Sequence, residues 1–318
     1  MNKLYDYKIA VSIPYYNASK HIGNVVAKLP DYINTVIIVD DKSPEKIDKE
    51  EILKSVNPKI EVVFLENAIN LGVGGASKKG FEYAIQKDFD IVVKMDSDDQ
   101  MDANFLPDLL LPLIKNKAEM AKGNRFRDLD SLKKMPIVRR MGNLVLSFLT
   151  KASTGYWNNF DPNNGYIAIK IDSLKKVDFS RLSDRYFFET SLIAQLYFAD
   201  ARIKDIAMPS IYADEKSSMN VWKMPYVFFT NLVKVFFKRI LKKYFLYDFN
   251  IASLYLLIGL PLFLFGVIYG IYNWVHYSSV HLLTPTGTIM LVTLSIILGF
   301  QLLLQAIQYD IINSPKAK

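Results

Sequence analysis

Five short apolar runs, each closed by polar or turn-forming residues, mark the first two hundred residues: 8–13 (KIAVSI), 35–40 (TVIIVD), 60–65 (IEVVFL), 89–95 (FDIVVKM) and 120–123 (MAKG). Each is strand length. Between them, residues 19–29, 74–86 and 104–115 carry apolar positions at helical spacing. Nearly continuous apolar strands alternating with helices predict an α/β domain whose mostly parallel sheet is covered on both faces. The pattern changes in the last third. Segments 251–275 (IASLYLLIGLPLFLFGVIYGIYNWV) and 287–309 contain no charged residue. Each is long enough, at about 1.5 Å per residue, to cross a hydrocarbon layer of about 30 Å as a helix. Pro261 does not oppose this, because membrane helices tolerate proline.

The charged flanks orient the pair. Lys234, Lys238, Arg239, Lys242 and Lys243 precede the first span, Lys316 and Lys318 follow the second, and the loop 276–286 has no lysine or arginine. Both termini are therefore expected in the cytoplasm, with the chain in the cytoplasmic (inner) membrane. Tyr272, Trp274 and Tyr277 suit an interfacial aromatic belt. Residues 219–247 mix aromatic and basic side chains. Val233, Phe236, Phe237, Ile240 and Leu241 form one apolar face, with Lys234, Lys238, Lys242, Lys243 and Arg239 supplying positive charge, as in a helix lying in a membrane surface. The expected organisation is a catalytic domain over 1–216, interfacial amphipathic helices over 217–249 and a transmembrane hairpin over 250–318.

Composition narrows the chemistry. The 318 residues are 51% apolar and 22% charged, with a net charge of +7. There is no cysteine, so disulfides, thiolate metal sites and cysteine nucleophiles are excluded. His21, His276 and His281 are too scattered for a histidine zinc site. The N-terminal apolar run is too short for a signal-peptide core. No nucleic-acid partner is expected.

One stretch poses a physical question. In VVKMDSDDQMD, residues 92–102, an apolar strand runs into Asp96, Asp98, Asp99 and Asp102. Such crowded like charges need either solvent or a cation. Ligands of open parallel sheets bind at the carboxyl ends of strands, and three polar clusters fall there: Pro14, Tyr16 and Asn17; Asp40, Asp41 and Ser43; and Asp96, Asp98 and Gln100. Gly75 and Gly80 have phosphate-loop spacing, but Phe81 stands where such a loop needs lysine, and Ser77 breaks a dinucleotide fingerprint. These glycines instead suit a helix that starts close to the sheet and to a ligand. Arg125, Arg139, Arg140 and Asn143 could hold an anionic acceptor, arginine being suited to phosphate; a solvated basic face is the alternative for Arg139.

The ordered set Pro14, Tyr16, Asn17; Asp40, Asp41, Ser43; Asn70, Gly72, Ala76, Gly80; and Asp96-Ser97-Asp98 resembles the family 2 glycosyltransferases of the GT-A (Rossmann-like) fold, over roughly residues 7–215. DSDDQ with Gln100, GNRF, FDPNNGY and YADEKSS are similar to the polyprenyl-phosphate branch that includes dolichyl-phosphate mannose synthases. The hairpin resembles that of its bacterial glucosyltransferase members. The resemblance implies an inverting, metal-dependent transfer from a UDP- or GDP-linked sugar to a polyprenyl phosphate at the cytoplasmic leaflet. The alternative acceptor is a hydroxyl of a lipid-linked glycan.

It also implies residue roles. Mg²⁺ or Mn²⁺ would be held by Asp96, Asp98 and Asp161, with Asp98 as the direct ligand, Asp96 towards the ribose and Gln100 in support. Asp98, Asp161 and Gln100 would be the catalytic set. Pro14, Tyr16, Asn17, Asp41, Ser43, Asn70, Gly72, Ala76, Asp96 and Ser97 would bind the donor, with Asp41 on the base. Arg125, Arg139, Arg140, Asn143 and Lys216 would face the acceptor phosphate. Asp99 is expected to be solvated and Asp102 to cap the following helix. Ala18, the segment NNGYIA and Asp214 depart from the family pattern, which bears on donor identity and acceptor grip. In the hairpin, Gly266 and Gly270 form a small-xxx-small pair, and Gln301, Gln305 and Gln308 form a polar stripe. Either could join the spans to each other or to another subunit in a homo-oligomer.

Overall fold

A computed structural model describes residues 2–127, 137–209 and 224–317; within helices, the side chains of 2, 127, 138, 139, 143, 224 and 225 fall outside that description. The chain forms two compact units, Met1–Val235 with Pro315–Lys318, and Phe236–Ser314.

The first unit is built on a seven-stranded sheet. Its strands are β1 (Ile9–Tyr15), β2 (Thr35–Asp40), β3 (Glu61–Glu66), β4 (Ile91–Lys94), β5 (Met120–Asn124), β6 (Ile167–Lys170) and β7 (Ile203–Ala207). They are ordered β3-β2-β1-β4-β6-β5-β7. The helices are α1 (Ser19–Ala27), α2 (Lys49–Ser55), α3 (Val73–Gln86), α4 (Leu106–Ile114), α5 (Ile137–Thr154), α6 (Ile171–Leu174) and α7 (Phe188–Phe198). All seven residues of β1 are buried. Its side chains alternate between two cores, as the period of two requires: Val11 and Ile13 join Ile22, Val25 and Leu109 on one face, while Ala10 joins Phe81, Phe188 and Leu192 on the other. The five strands expected from sequence all form, within a few residues of their expected ends.

Two features of the sheet position the site. First, β1 pairs in parallel with both β2 and β4, so the chain reverses its direction of growth across the sheet at β1. That reversal opens a crevice above the carboxyl ends of β1 and β4. Second, β6 is antiparallel to β4 and β5, with Lys94 and Lys122 both opposite Ile167. The start of β6 therefore lies beside the end of β4, and the loop FDPNNG comes to the edge that carries the acidic turn. Gly165 is required there, since a Cβ at that position would stand 2.5 Å from Lys94 Nζ and 2.9 Å from Asp96 Oδ2. On the other face, a Cβ at Gly80 would collide with Ser12 Oγ, so α3 lies close on β1 as the glycine spacing suggested.

Helix α8 (Met224–Leu241) begins in the first unit, where Phe228 and Leu232 pack with Phe187 in a small apolar cluster. Phe229, Phe237 and Leu241 are exposed.

In the second unit, α9 (Ile251–Ser279) and α10 (Thr286–Ile312) have mean hydropathies of 2.4 and 2.1 and are long and apolar enough to cross a membrane. Their glycines seat the opposite helix: Gly259 faces Leu302, Gly266 faces Ile296, Gly270 faces Val292 and Gly299 faces Phe263. The small-xxx-small pair thus joins the two helices of the hairpin to each other. Asn250 starts α9 with a capping box completed by Ser253.

Arg239 corrects the expectation of a surface cation. It is 2% exposed and makes a bidentate pair with Asp310, at 2.7 and 2.9 Å, which also accepts from Tyr244 Oη at 2.5 Å. The carboxylate at the end of α10 captures the guanidinium because neither could be buried alone. Arg239→Met should therefore destabilise this unit by about 3–5 kcal/mol, whereas the double variant with Asp310→Leu should recover most of the loss. Survival of the folded peak in gel filtration after graded heating measures both.

Candidate active site

The four aspartates of residues 92–102 take four different surroundings. Asp96 Oδ1 accepts from Lys94 Nζ at 2.5 Å. Asp98 Oδ1 accepts from the Gln100 N–H at 3.1 Å, folding the turn back on itself. Asp99, in a left-handed conformation with φ of 59°, meets Lys28 Nζ at 2.7 Å and so is paired rather than merely solvated. Asp102 caps the turn Ala103–Phe105 through the Asn104 N–H at 2.9 Å, as expected.

Lys94 was not singled out from the sequence. It sits within an apolar strand, is fully buried, and reaches Asp96, the Glu189 carboxylate at 3.3 Å and the Gly165 carbonyl at 3.5 Å. Burial alone would lower its pKa, but the two carboxylates outweigh it and hold the value above the usual lysine range. Glu189 is pushed up by burial, with Asp96 adding to the rise and Lys94 opposing it. Its only signal in the sequence was a lone acid in the apolar run FFETSLI.

Two cavities meet at the acidic turn. One is a cleft of about 900 Å³ whose walls include Pro14, Tyr16, Asp41, Asn70, Gly72, Ala76, Asp96, Ser97 and Asp98. Eight of the ten residues expected on the donor side are thereby brought together. The other two, Asn17 and Ser43, are not among its lining residues and bond to each other instead: the Asn17 N–H donates to Ser43 Oγ at 3.0 Å, and Ser43 donates to Asp40 Oδ1. Asp41 reaches the cleft with both oxygens engaged. It accepts from Asn67 Nδ2 at 2.8 Å, the Leu71 N–H at 2.9 Å and the Gly72 N–H at 2.6 Å, and so fixes the loop that starts α3. Ser183, Arg185, Tyr186 and Phe228 complete the cleft and were not anticipated.

The second cavity, about 170 Å³, is lined by Asp96, Asp98, Gln100, Arg125, Asn163, Asn164 and Gly165, with Met101, Phe105, Tyr166 and Met208. Arg125 follows β5 and grips Asp161 with two parallel bonds: Nε to Oδ2 and Nη2 to Oδ1, each 2.8 Å. Asp161 is 2% exposed and left-handed, with φ of 52°. Burial would raise its pKa, but Arg125, and Lys122 beyond it, hold the carboxyl below its ordinary range. Lys122 is itself buried, donating to the Phe160 and Asp161 carbonyls at 2.5 and 2.7 Å, so it fixes the loop that carries Asp161.

The expected three-carboxylate metal set does not assemble among the described residues. Asp161 is turned to Arg125, which satisfies both of its oxygens. Arg140 lies on α5 and is exposed; the side chains of Arg139 and Asn143, and all of Lys216 and Asp214, are outside the described residues.

An open, mostly parallel sheet with an acidic turn at its switch point puts the site where α/β sheets of this kind bind their ligands. Residues 10–178 match the glycosyl transferase family 2, and the chain belongs to that family. It is 33% identical over 195 residues to the UDP-N-acetylglucosamine–dolichyl-phosphate N-acetylglucosaminyltransferase of Methanococcus voltae, covering 57% of this chain and 76% of that one. It is 25% identical over 203 residues to the undecaprenyl-phosphate mannosyltransferase of Micrococcus luteus, covering 63% and 82%. Among solved structures, glucosyl-3-phosphoglycerate synthase from Mycobacterium tuberculosis, in complex with Mn²⁺, UDP and its product, superposes with a TM-score of 0.53 at 18% identity, covering 75% of this chain and 81% of the other. That likeness is one of fold.

Proposed function

We propose that this chain is a membrane-attached inverting glycosyltransferase that moves a sugar from a nucleoside-diphosphate sugar to a polyprenyl phosphate at the cytoplasmic leaflet. The observation that carries this reading is the meeting of the two cavities at Asp96 and Asp98. The large cleft has room for a nucleotide sugar, and the small polar one has a guanidinium at its wall. The relatives named for dolichyl- and undecaprenyl-phosphate transfer support the acceptor class.

Asp96 and Asp98 fit a divalent ion by donor chemistry. They offer hard carboxylate oxygens with no histidine or thiolate beside them, which favours Mg²⁺ or Mn²⁺. Two carboxylates are a usual protein contribution for Mg²⁺, the remaining ligands being water and substrate phosphate oxygens. When bound, such an ion would offset the charge that grows on a departing nucleoside diphosphate. Chelation should abolish transfer, and added Mg²⁺ or Mn²⁺ should restore it.

The chain's own residues do the rest. Lys94 holds Asp96 in one rotamer. The loop tied by Asp41 shapes the donor cleft, and Arg185 at its rim suits a diphosphate. Arg125, steadied by Asp161, is placed to bind and orient the acceptor phosphate. That phosphate has a second pKa of about 6, so its oxygen is already an anionic nucleophile at neutral pH. It attacks the anomeric carbon as the bond to the nucleoside diphosphate breaks, in one displacement.

A hydroxyl acceptor would need a general base. Asp161, with its pKa held low and both oxygens bonded to arginine, is poorly suited to that task, which favours the phosphate over a lipid-linked glycan hydroxyl. Asp161→Asn should accordingly retain activity, reduced about tenfold and chiefly through acceptor KM as Arg125 loses its partner, with the pH profile of kcat unchanged. Loss of a basic pH limb in this variant would instead mark Asp161 as the base.

The membrane reading rests on α9 and α10, oriented with both termini cytoplasmic. It also draws on α5, which exposes Ile137, Met141, Leu144, Val145 and Phe148 at helical spacing, a face suited to the surface where a long-chain phosphate presents its headgroup. The function is tested with purified full chain, undecaprenyl phosphate and a panel of radiolabelled UDP- and GDP-sugars. A mild-acid-labile product that extracts into organic solvent is expected without any pre-assembled glycan. A strict need for such a glycan would overturn the proposal.

A further inference from the structure

Gln301, Gln305 and Gln308 recur at spacings of four and three along α10, on the side turned away from α9. With Gly299 as origin and about 100° per residue, the α9-facing positions Val292, Ser295, Ile296 and Leu302 fall within about 60° of it, and the glutamines at roughly 180–240°. Gln301 and Gln308 are exposed and Gln305 is half-buried. Among the described residues, no hydrogen-bond partner reaches any of the three amides. The seam continues towards the start of the helix through Leu298, Leu294 and Leu291, which are 53%, 52% and 48% exposed. From 291 to 308 the steps are three, four, three, four and three, the period of two helices wound about each other.

We propose that this face of α10 pairs with the same face of a second copy of the chain. The inference rests on the membrane-spanning reading. A primary amide facing hydrocarbon has no water to bond and needs a polar partner. A second copy supplies one without any further component. Both copies insert with the same topology, so their α10 helices pack parallel, and equivalent positions meet in layers across a two-fold axis. Each glutamine carries two N–H donors and a carbonyl acceptor, so an amide can donate to its counterpart and accept from it at once. Lysine, glutamate or serine would not be self-complementary in this way, whereas leucines on the same seam supply the packing.

The chain's lack of cysteine makes the test direct. Leu294→Cys on the seam and Ile289→Cys off it are introduced into the full chain and reconstituted in vesicles at high lipid-to-protein ratio. Alkaline carbonate extraction of the parent chain is measured first: release would overturn the membrane reading itself, separately from the pairing. For chains that stay embedded, oxidation should cross-link Leu294→Cys at least tenfold more than Ile289→Cys. Adding Gln301→Leu, Gln305→Leu and Gln308→Leu should lower that yield at least fivefold while sugar transfer continues. Equal yields at the two cysteines, or pairing undiminished in the glutamine-free chain, would overturn the inference.

Discussion

Asp98→Asn is expected to leave a folded, membrane-bound protein whose kcat is lower by about a hundredfold to a thousandfold, the range found when one preorganised electrostatic group is removed from a reaction centre. The asparagine keeps the shape of the side chain and an oxygen able to accept from the Gln100 N–H, so the turn should hold. What it removes is one negative charge where the two cavities meet. Two unit charges about 4 Å apart interact by about 4 kcal/mol at an effective dielectric near 20. That is about three powers of ten in rate. Steady-state transfer assays over a range of Mg²⁺ concentrations check this. A variant that keeps full rate at every metal concentration would refute the assignment of Asp98.

Lys94→Met is expected to destabilise the sheet domain severely. The lysine is fully buried and stands between Asp96 and the buried Glu189. Its removal leaves a carboxylate in the core with no counter-charge, a change that costs about 3–5 kcal/mol in comparable buried pairs. Adding Glu189→Gln should return a substantial part, because the two sites share one interaction and their effects are not additive. Chemical denaturation of the detergent-solubilised chain, followed by intrinsic fluorescence, measures both variants. The linkage has a definite sign. Lys94 has a raised pKa in the folded state, so its contribution is fully present below the ordinary lysine range. It fades only as pH climbs through that higher value. No loss is expected on the alkaline side of neutrality until then.

Much of this was legible in the chain. The alternation of apolar runs with helical patterns located β1 to β5, because strands covered on both faces have to be apolar at almost every position. The polar residues after β1, β2 and β4 could be assigned to one edge because parallel strands all end on the same side. Pro14, Tyr16, Asn70, Gly72, Ala76, Asp96, Ser97 and Asp98 do line a single cleft. Less was visible where the tertiary structure sets the direction of a strand or the partner of a charge. β6 is four residues long, with nothing to mark it as antiparallel. Arg239 stood among lysines in a basic run, yet its role depends on Asp310, 71 residues away. Asp41 looked open to a ligand until the loop 67–72 folded over it.

By itself, then, the sequence settled the doubly covered sheet, the edge at which the polar turns gather and the two long apolar helices. All of these follow from the local period of apolar side chains and from the length a helix needs to cross a bilayer. Tertiary structure alone decided that Asp161 belongs with Arg125, that Lys94 backs Asp96, and that the glycines of α9 face α10 while the glutamines of α10 do not. The physical reason is one of range. Periodicity is written over a few residues, whereas a buried charge is defined by the neighbour that neutralises it, and that neighbour can come from any part of the chain.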